Sequence, residues 1–182
     1  NEFKLMREDL EAAVTPRSKV LIFPFPNNPT GSIMTRDEMR DIAQFVVDHD
    51  LFVMSDEIYA ELTYTEEPHV SIATLEGMRE RTLVINGFSK AFSMTGWRLG
   101  YAMGPKALLK EMTKIHQFAI MCAPTTSQYA AIEAMRNCDV AVEEMRREYN
   151  RRRRLVVNGF RSLGFDCFEP YGAFYVFPSV KK

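Results

Sequence analysis

Three short runs constrain this chain more than anything else in it. Residues 20–25 (Val-Leu-Ile-Phe-Pro-Phe), 51–54 (Leu-Phe-Val-Met) and 82–85 (Thr-Leu-Val-Ile) are apolar almost from end to end, and polar turn residues stop each of them. Four to six residues are too few for a helix and suit a buried strand. Uniform apolarity, rather than alternation, points to a parallel sheet covered on both faces. A short helix is predicted over 5–14, ahead of the first run. Between the first two runs Thr35 opens a helix with Glu38 three residues later, a capping box, and Met39, Ile42, Ala43 and Val46 follow at helical spacing. The order strand, helix, strand, connection, strand predicts an α/β fold. Residues 66–81 show no helical period and are expected to be mostly loop with one short turn.

Such sheets place their working residues just past the carboxyl ends of the strands. Asn28, Asp56 and Lys90 all lie there, about one βαβ unit apart. Three polar residues far apart in sequence are therefore expected to meet along one edge of the sheet.

The second half reads differently. Helices are predicted over 105–118 and 126–135. Residues 139–163 form a longer amphipathic helix with Val142, Met145, Tyr149, Val156, Phe160 and Leu163 on its apolar side. Gly164 stands where a left-handed cap belongs. The run Ala173-Phe174-Tyr175-Val176-Phe177 predicts a further strand. A domain change is placed near 136–140, dividing the chain into 1–138 and 139–182.

Charge and cysteine content exclude several partners. Lys+Arg is 23 and Asp+Glu 24, a net charge of -1, so no global field draws the chain to nucleic acid or to an anionic membrane. No apolar run approaches the ~20 residues of a membrane span. Arg146, Arg147 and Arg151 to Arg154 are interleaved with Glu143, Glu144 and Glu148. That pattern is read as a solvated helix face with local ion pairs. Three widely spaced cysteines argue against a disulfide framework and for a reducing, cytoplasmic setting. No metal-ligand spacing exists, and His49, His69 and His116 show no partner, so no metal site is expected and no histidine is given a role.

Lys90 sits in Gly87-Phe88-Ser89-Lys90-Ala91-Phe92-Ser93-Met94-Thr95-Gly96-Trp97-Arg98, among small, hydroxyl and apolar residues. Most lysines are solvated surface charges. This setting suits instead a lysine that must lose its proton to attack a carbonyl. Asp56 alone would read as a turn cap, Asn28 as turn chemistry, and Arg98 as a surface charge or an anion holder. Together they ask for an anionic, carbonyl-bearing ligand with a cationic ring.

Asn28-Pro29-Thr30-Gly31, Ser55-Asp56-Glu57-Ile58-Tyr59, Ser89-Lys90 through Thr95-Gly96-Trp97-Arg98-Leu99-Gly100-Tyr101, and Gly172-Ala173-Phe174-Tyr175-Val176-Phe177-Pro178 resemble the class I/II aminotransferases. These are pyridoxal 5'-phosphate enzymes of the aspartate aminotransferase fold (fold type I). The resemblance covers nearly the whole chain. It implies part of the large domain, a mostly parallel sheet with flanking helices, plus the start of the small α+β domain. It implies that Lys90 forms a Schiff base with the cofactor and shuttles a proton, and that Asp56 pairs with the ring nitrogen. By the same resemblance Tyr59 and Asn28 bond the ring oxygen, Asn28 also reaches the substrate carboxylate, and Ser89 and Arg98 hold the phosphate. One departure stands out: many relatives carry Ser or Thr three residues before the lysine, where this chain has Gly87. The implied reaction moves an amino group from an L-amino acid to a 2-oxo acid, in a homodimer. A lyase or decarboxylase of the same fold shares Lys90, Asp56 and Arg98. The resemblance also implies that a ring-stacking aromatic and a carboxylate-binding arginine come from segments outside this chain. The chain is thus expected to be the central part of an aminotransferase, inactive alone, or a non-catalytic folded fragment.

Overall fold

A computed structural model describes residues 2–181. Four strands form one sheet in the order β1 (Val20–Phe23), β2 (Phe52–Asp56), β3 (Thr82–Gly87) and β4 (Gly100–Met103). The first three are parallel, with Val20 opposite Phe52 and Val53 opposite Thr82. β4 runs antiparallel and sets Gly87 opposite Gly100. This last strand is not among those the sequence predicts. Its four residues include glycine and lack a β-branched side chain, so neither period nor propensity marks it.

α1 (Arg7–Ala13) and α2 (Arg36–Asp48) cover one face of the sheet. The expected capping box is made: Thr35 Oγ1 accepts from the Glu38 amide at 3.3 Å and a Glu38 carboxylate oxygen accepts from the Thr35 amide at 2.7 Å. Met39, Ile42, Ala43 and Val46 are buried as the spacing predicts, with Phe45 beside them. They pack on Phe23, Phe25, Val53, Ile72 and Met78. Residues 66–81 are loop with two 3₁₀ turns, Ile72–Thr74 and Arg79–Arg81, and Ile72 and Met78 peg that loop into the core. Phe45 is 1% exposed. Phe45→Ala in the intact protein should therefore cost about 3–5 kcal/mol in a urea unfolding titration. A loss below about 1 kcal/mol would show that α2 does not dock as described.

The face of the sheet opposite α2 is partly bare among the described residues. Val20 and Ile22 are more than half exposed, and Phe52 nearly half. Strand parity puts all three on the face opposite α2, where none of the described residues closes over them. Apolar side chains on both faces record what each strand can bury, not what lies over it in this chain.

β3 leads into a single turn, α3 (Phe88–Ala91), and a 3₁₀ turn, Thr95–Trp97. α4 (Lys106–Ala119), α5 (Thr125–Asn137) and α6 (Asp139–Ser162) follow, with a break at Cys138 between the last two. Phe88, Met94, Ala131 and Ala134 make a second small core. Gly164 has φ +82°, the expected left-handed cap. On α6 the buried residue is Val157 rather than Val156, and Leu163 is exposed. Arg153 takes the intervening place in the seam: its guanidinium lies 5.4 Å from the Tyr64 ring centroid and 5.6 Å from that of Tyr171, and pairs with Glu169. Most of the other α6 arginines are paired locally. Glu143 holds Arg146 and Arg147 at 2.6 and 2.7 Å, and Glu148 holds Arg151 and Arg152 at 2.8 and 2.7 Å.

The predicted strand over 173–177 does not form. Only single bridges occur there, Gly172 to Thr63 and Pro178 to Cys167, and Ala173 has φ +56°. The alternating aromatics imitate a strand, but the chain turns so that Phe174 and Tyr175 both pack around Tyr59.

Candidate functional site

β2 ends at Asp56, and a stitched turn carries the chain on to Tyr59. The Ile58 amide donates to Asp56 Oδ1 at 3.2 Å, and the Ala60 amide to the Glu57 carbonyl at 2.9 Å. Tyr59 is thereby driven into a small core with Leu62 and Ala173. Its hydroxyl lies 2.6 Å from the Tyr175 hydroxyl, which accepts from Asn28 Nδ2 at 3.1 Å. Asn28 comes from the turn after β1, so three distant segments meet in one hydrogen-bonded chain. Burial, then the bond to Tyr175, push the Tyr59 phenol well above its ordinary pKa, and the Asp56 charge adds to this. The phenol is a neutral donor over the physiological range.

Lys90 lies on α3, directly after β3. Its Nζ is 5.4 Å from the Phe174 ring centroid and 5.9 Å from that of Tyr59, within cation–π reach of both. Among the described residues it is in no ion pair and makes no side-chain hydrogen bond. Gly87, three residues before the lysine, packs closely on β4. A Cβ there would lie 3.0 Å from Gly100 Cα and 3.1 Å from the Leu99 carbonyl oxygen, so a larger residue requires β4 to shift by a few tenths of an ångström.

Ser89 and Arg98 form a separate group. Thr95 ties them together: its hydroxyl donates to the Ser89 carbonyl at 3.0 Å, and its own carbonyl accepts from Arg98 Nη1 at 3.0 Å. Arg98 is exposed and has φ +51°. The structure thus brings Asn28, Tyr59 and Lys90 together, with Asp56 at the foot of the same turn. Ser89 and Arg98 adjoin this group through the chain and share no hydrogen bond with Asn28 or Tyr59.

Sequence reasoning missed two features. Tyr175 lies inside a recognised motif but draws no role there, because its partners are 116 and 147 residues away. His69 does have a partner: Nε2 lies 3.1 Å from the buried carboxylate of Glu57. The available signal was parity. Ser55 faces in and Asp56 sits on the other face, so Glu57 is an acid at an inward position.

The donor set has one amine, one carboxylate, one guanidinium and a neutral phenol, and among the described residues Lys90, Asp56 and Arg98 form no ion pair. Charges left unneutralised by one another fit a ligand that supplies a carbonyl, a basic ring nitrogen, a ring oxygen and a phosphate.

Comparison with known proteins agrees. The model of the family "Aminotransferase class I and II" matches residues 1–182. The chain belongs to that family, whose members depend on pyridoxal phosphate. It is 53% identical over 180 residues to YugH of Bacillus subtilis (strain 168), provisionally named an aminotransferase, covering 99% of this chain and 46% of that protein. It is 46% identical to an aspartate aminotransferase of Pyrococcus abyssi, covering 100% of this chain and 47% of the relative. The crystal structure of an aromatic aminotransferase from Pyrococcus horikoshii OT3 superposes with a TM-score of 0.95 at 46% identity, over 97% of this chain and 48% of that one. The fold is therefore the aspartate aminotransferase fold, and the chain spans about half the length of the relatives it matches.

Proposed function

We propose that the intact protein is a pyridoxal-phosphate-dependent amino-acid aminotransferase and that Lys90 is its reactive amine. The observation that carries this reading is the Lys90 ammonium held over Tyr59 and Phe174 with no acid partner among the described residues. An amine that no carboxylate engages is left available to a ligand's carbonyl carbon.

Each residue then has a task. Lys90 would hold the cofactor covalently through its aldehyde and, once released, would carry the proton taken from the substrate α-carbon. Asp56 keeps the proton on the ring nitrogen by favouring the charged form. Tyr59 and Asn28 bond the ring oxygen, and Asn28 also orients the substrate carboxylate. Ser89 and Arg98 hold the phosphate. The bound cofactor supplies an electron sink for the carbanion left when the α-proton departs. Residues 1–138 belong to the cofactor domain and 139–182 open the second domain. The substrates are an L-amino acid and a 2-oxo acid, the protein works as a homodimer, and three unbridged cysteines suit a reducing compartment such as the cytoplasm. Among the described residues no helix is long and apolar enough to cross a membrane.

The test is to supply the intact protein with pyridoxal phosphate, a panel of L-amino acids and 2-oxoglutarate, and to follow keto-acid and glutamate together. Equal formation of the two supports transamination. Release of carbon dioxide or of an eliminated group without glutamate would replace it with a decarboxylase or lyase.

A further inference from the structure

Glu57 stands between two residues assigned to the cofactor, yet its side chain points the other way. Strand alternation puts Ser55 inward and Asp56 on the opposite face, and Glu57 returns inward, where it is 4% exposed. One carboxylate oxygen accepts from Ser55 Oγ at 2.9 Å and from Ser71 Oγ at 2.7 Å, while the other meets His69 Nε2 at 3.1 Å. Burial pushes this carboxyl upward. The hydrogen bonds from His69 and Ser71, the charge of His69 and the bond from Ser55 together outweigh it and hold the group below the usual carboxylate range. Ser71 is fixed in turn. Its Oγ accepts from the Ala73 amide at 3.3 Å and caps the 3₁₀ turn whose Ile72 is locked in the main core. On the backbone side the Glu57 amide donates to the Ile85 carbonyl at 2.9 Å, the Ala60 amide to the Glu57 carbonyl at 2.9 Å, and the Leu62 amide to the Tyr59 carbonyl at 2.9 Å.

We propose that Glu57 is a positioning residue: through Ser55, His69 and Ser71 it anchors the 56–62 turn to the core loop, and so fixes the orientation in which Asp56 and Tyr59 are presented to the cofactor. The proposal rests on the functional reading above. A carboxylate suits the place because three donors converge on two oxygens. An apolar side chain of the same length would fill the space and strand all three donors. A glutamine would keep an acceptor for the two serines and set its amide NH2 against His69 Nε2 in place of a carboxylate oxygen.

The variants are Glu57→Leu and Glu57→Gln in the intact protein. The first measurement is hydrogen exchange at the Ile58, Ala60 and Leu62 amides without cofactor, the second the dissociation constant of pyridoxal phosphate, and the third kcat and KM. In Glu57→Leu, exchange should quicken and cofactor binding weaken by at least about tenfold each. Its kcat should fall by on the order of 10²-fold, and KM for the amino acid should stay within about threefold because Glu57 touches no substrate. Glu57→Gln should restore most of all three. Should Glu57→Leu not fold, Ser71→Ala removes a single donor and should show the same pattern, smaller. Amide exchange and cofactor affinity left unchanged in a folded variant, whatever its melting temperature, would overturn the positioning role. An unsubstituted protein that binds no pyridoxal phosphate would sink the functional reading instead, and amide exchange alone would still judge Glu57.

Discussion

Lys90→Ala should leave a folded protein that no longer links covalently to pyridoxal phosphate. Borohydride should fix the cofactor to the unsubstituted protein and not to the variant, and kcat should fall by at least on the order of 10²–10⁴-fold. Stability should hardly move, because the lysine is in no ion pair among the described residues and only leans over the rings of Tyr59 and Phe174. Lys90→Arg separates two explanations. Arginine keeps the charge and the cation–π contact, but a guanidinium does not give up its proton in a protein. If the amine is a nucleophile and proton carrier, Arg is as inactive as Ala. If the positive charge alone matters, Arg restores turnover. Normal turnover in either variant would show that Lys90 is not the reactive amine.

The second large effect is expected far from the lysine in sequence. Gly31→Ala should destabilise the intact protein by ~3 kcal/mol or more, combining a left-handed backbone position with overpacking. Gly31 has φ +72° and is buried, and a Cβ would drive into Pro170 and lie 2.8 Å from the Gly172 carbonyl oxygen. The Gly172 amide donates to the Gly31 carbonyl at 2.8 Å, so the same change tears at the seam that seats Phe174 and Tyr175. Gly159 is the contrast. It lies within α6, and a Cβ there would meet nothing within 4 Å, so Gly159→Ala should stabilise by about 0.5–1 kcal/mol. Equal melting temperatures for the two variants would show that the Gly31 seam is not closed as described.

Much of this architecture is legible in the residues, for local reasons. The three parallel strands announce themselves because each is apolar throughout and stopped by turn residues. Asn28, Asp56 and Lys90 follow from them, since a residue just past a strand has only one place to go. Thr35 and Glu38 signal the start of α2 because a capping box is a local bond. Whatever depends on separation is hidden. Tyr175 needs partners more than a hundred positions back, and Phe174 reaches Lys90 only because Ala173 takes a left-handed turn. Residues 173–177 mislead because aromatic alternation serves a packed turn as well as a strand. Two-sided apolarity marks what each strand can bury, and among the described residues Val20, Ile22 and Phe52 remain exposed.

The bond from Asn28 to Tyr175 spans 147 residues, and that span has a meaning in time. A ribosome adds ~5–20 residues per second, so roughly 7–30 s separate the emergence of the two partners. During that interval β1, β2 and β3 can pair and α2 can dock, since all their contacts lie upstream. Until then Tyr59 lacks its bond to the Tyr175 hydroxyl, and Lys90 lacks the Phe174 ring. The scaffold of β1, β2, β3 and α2 can thus form before the contacts made by the segment from Gly172 to Tyr175.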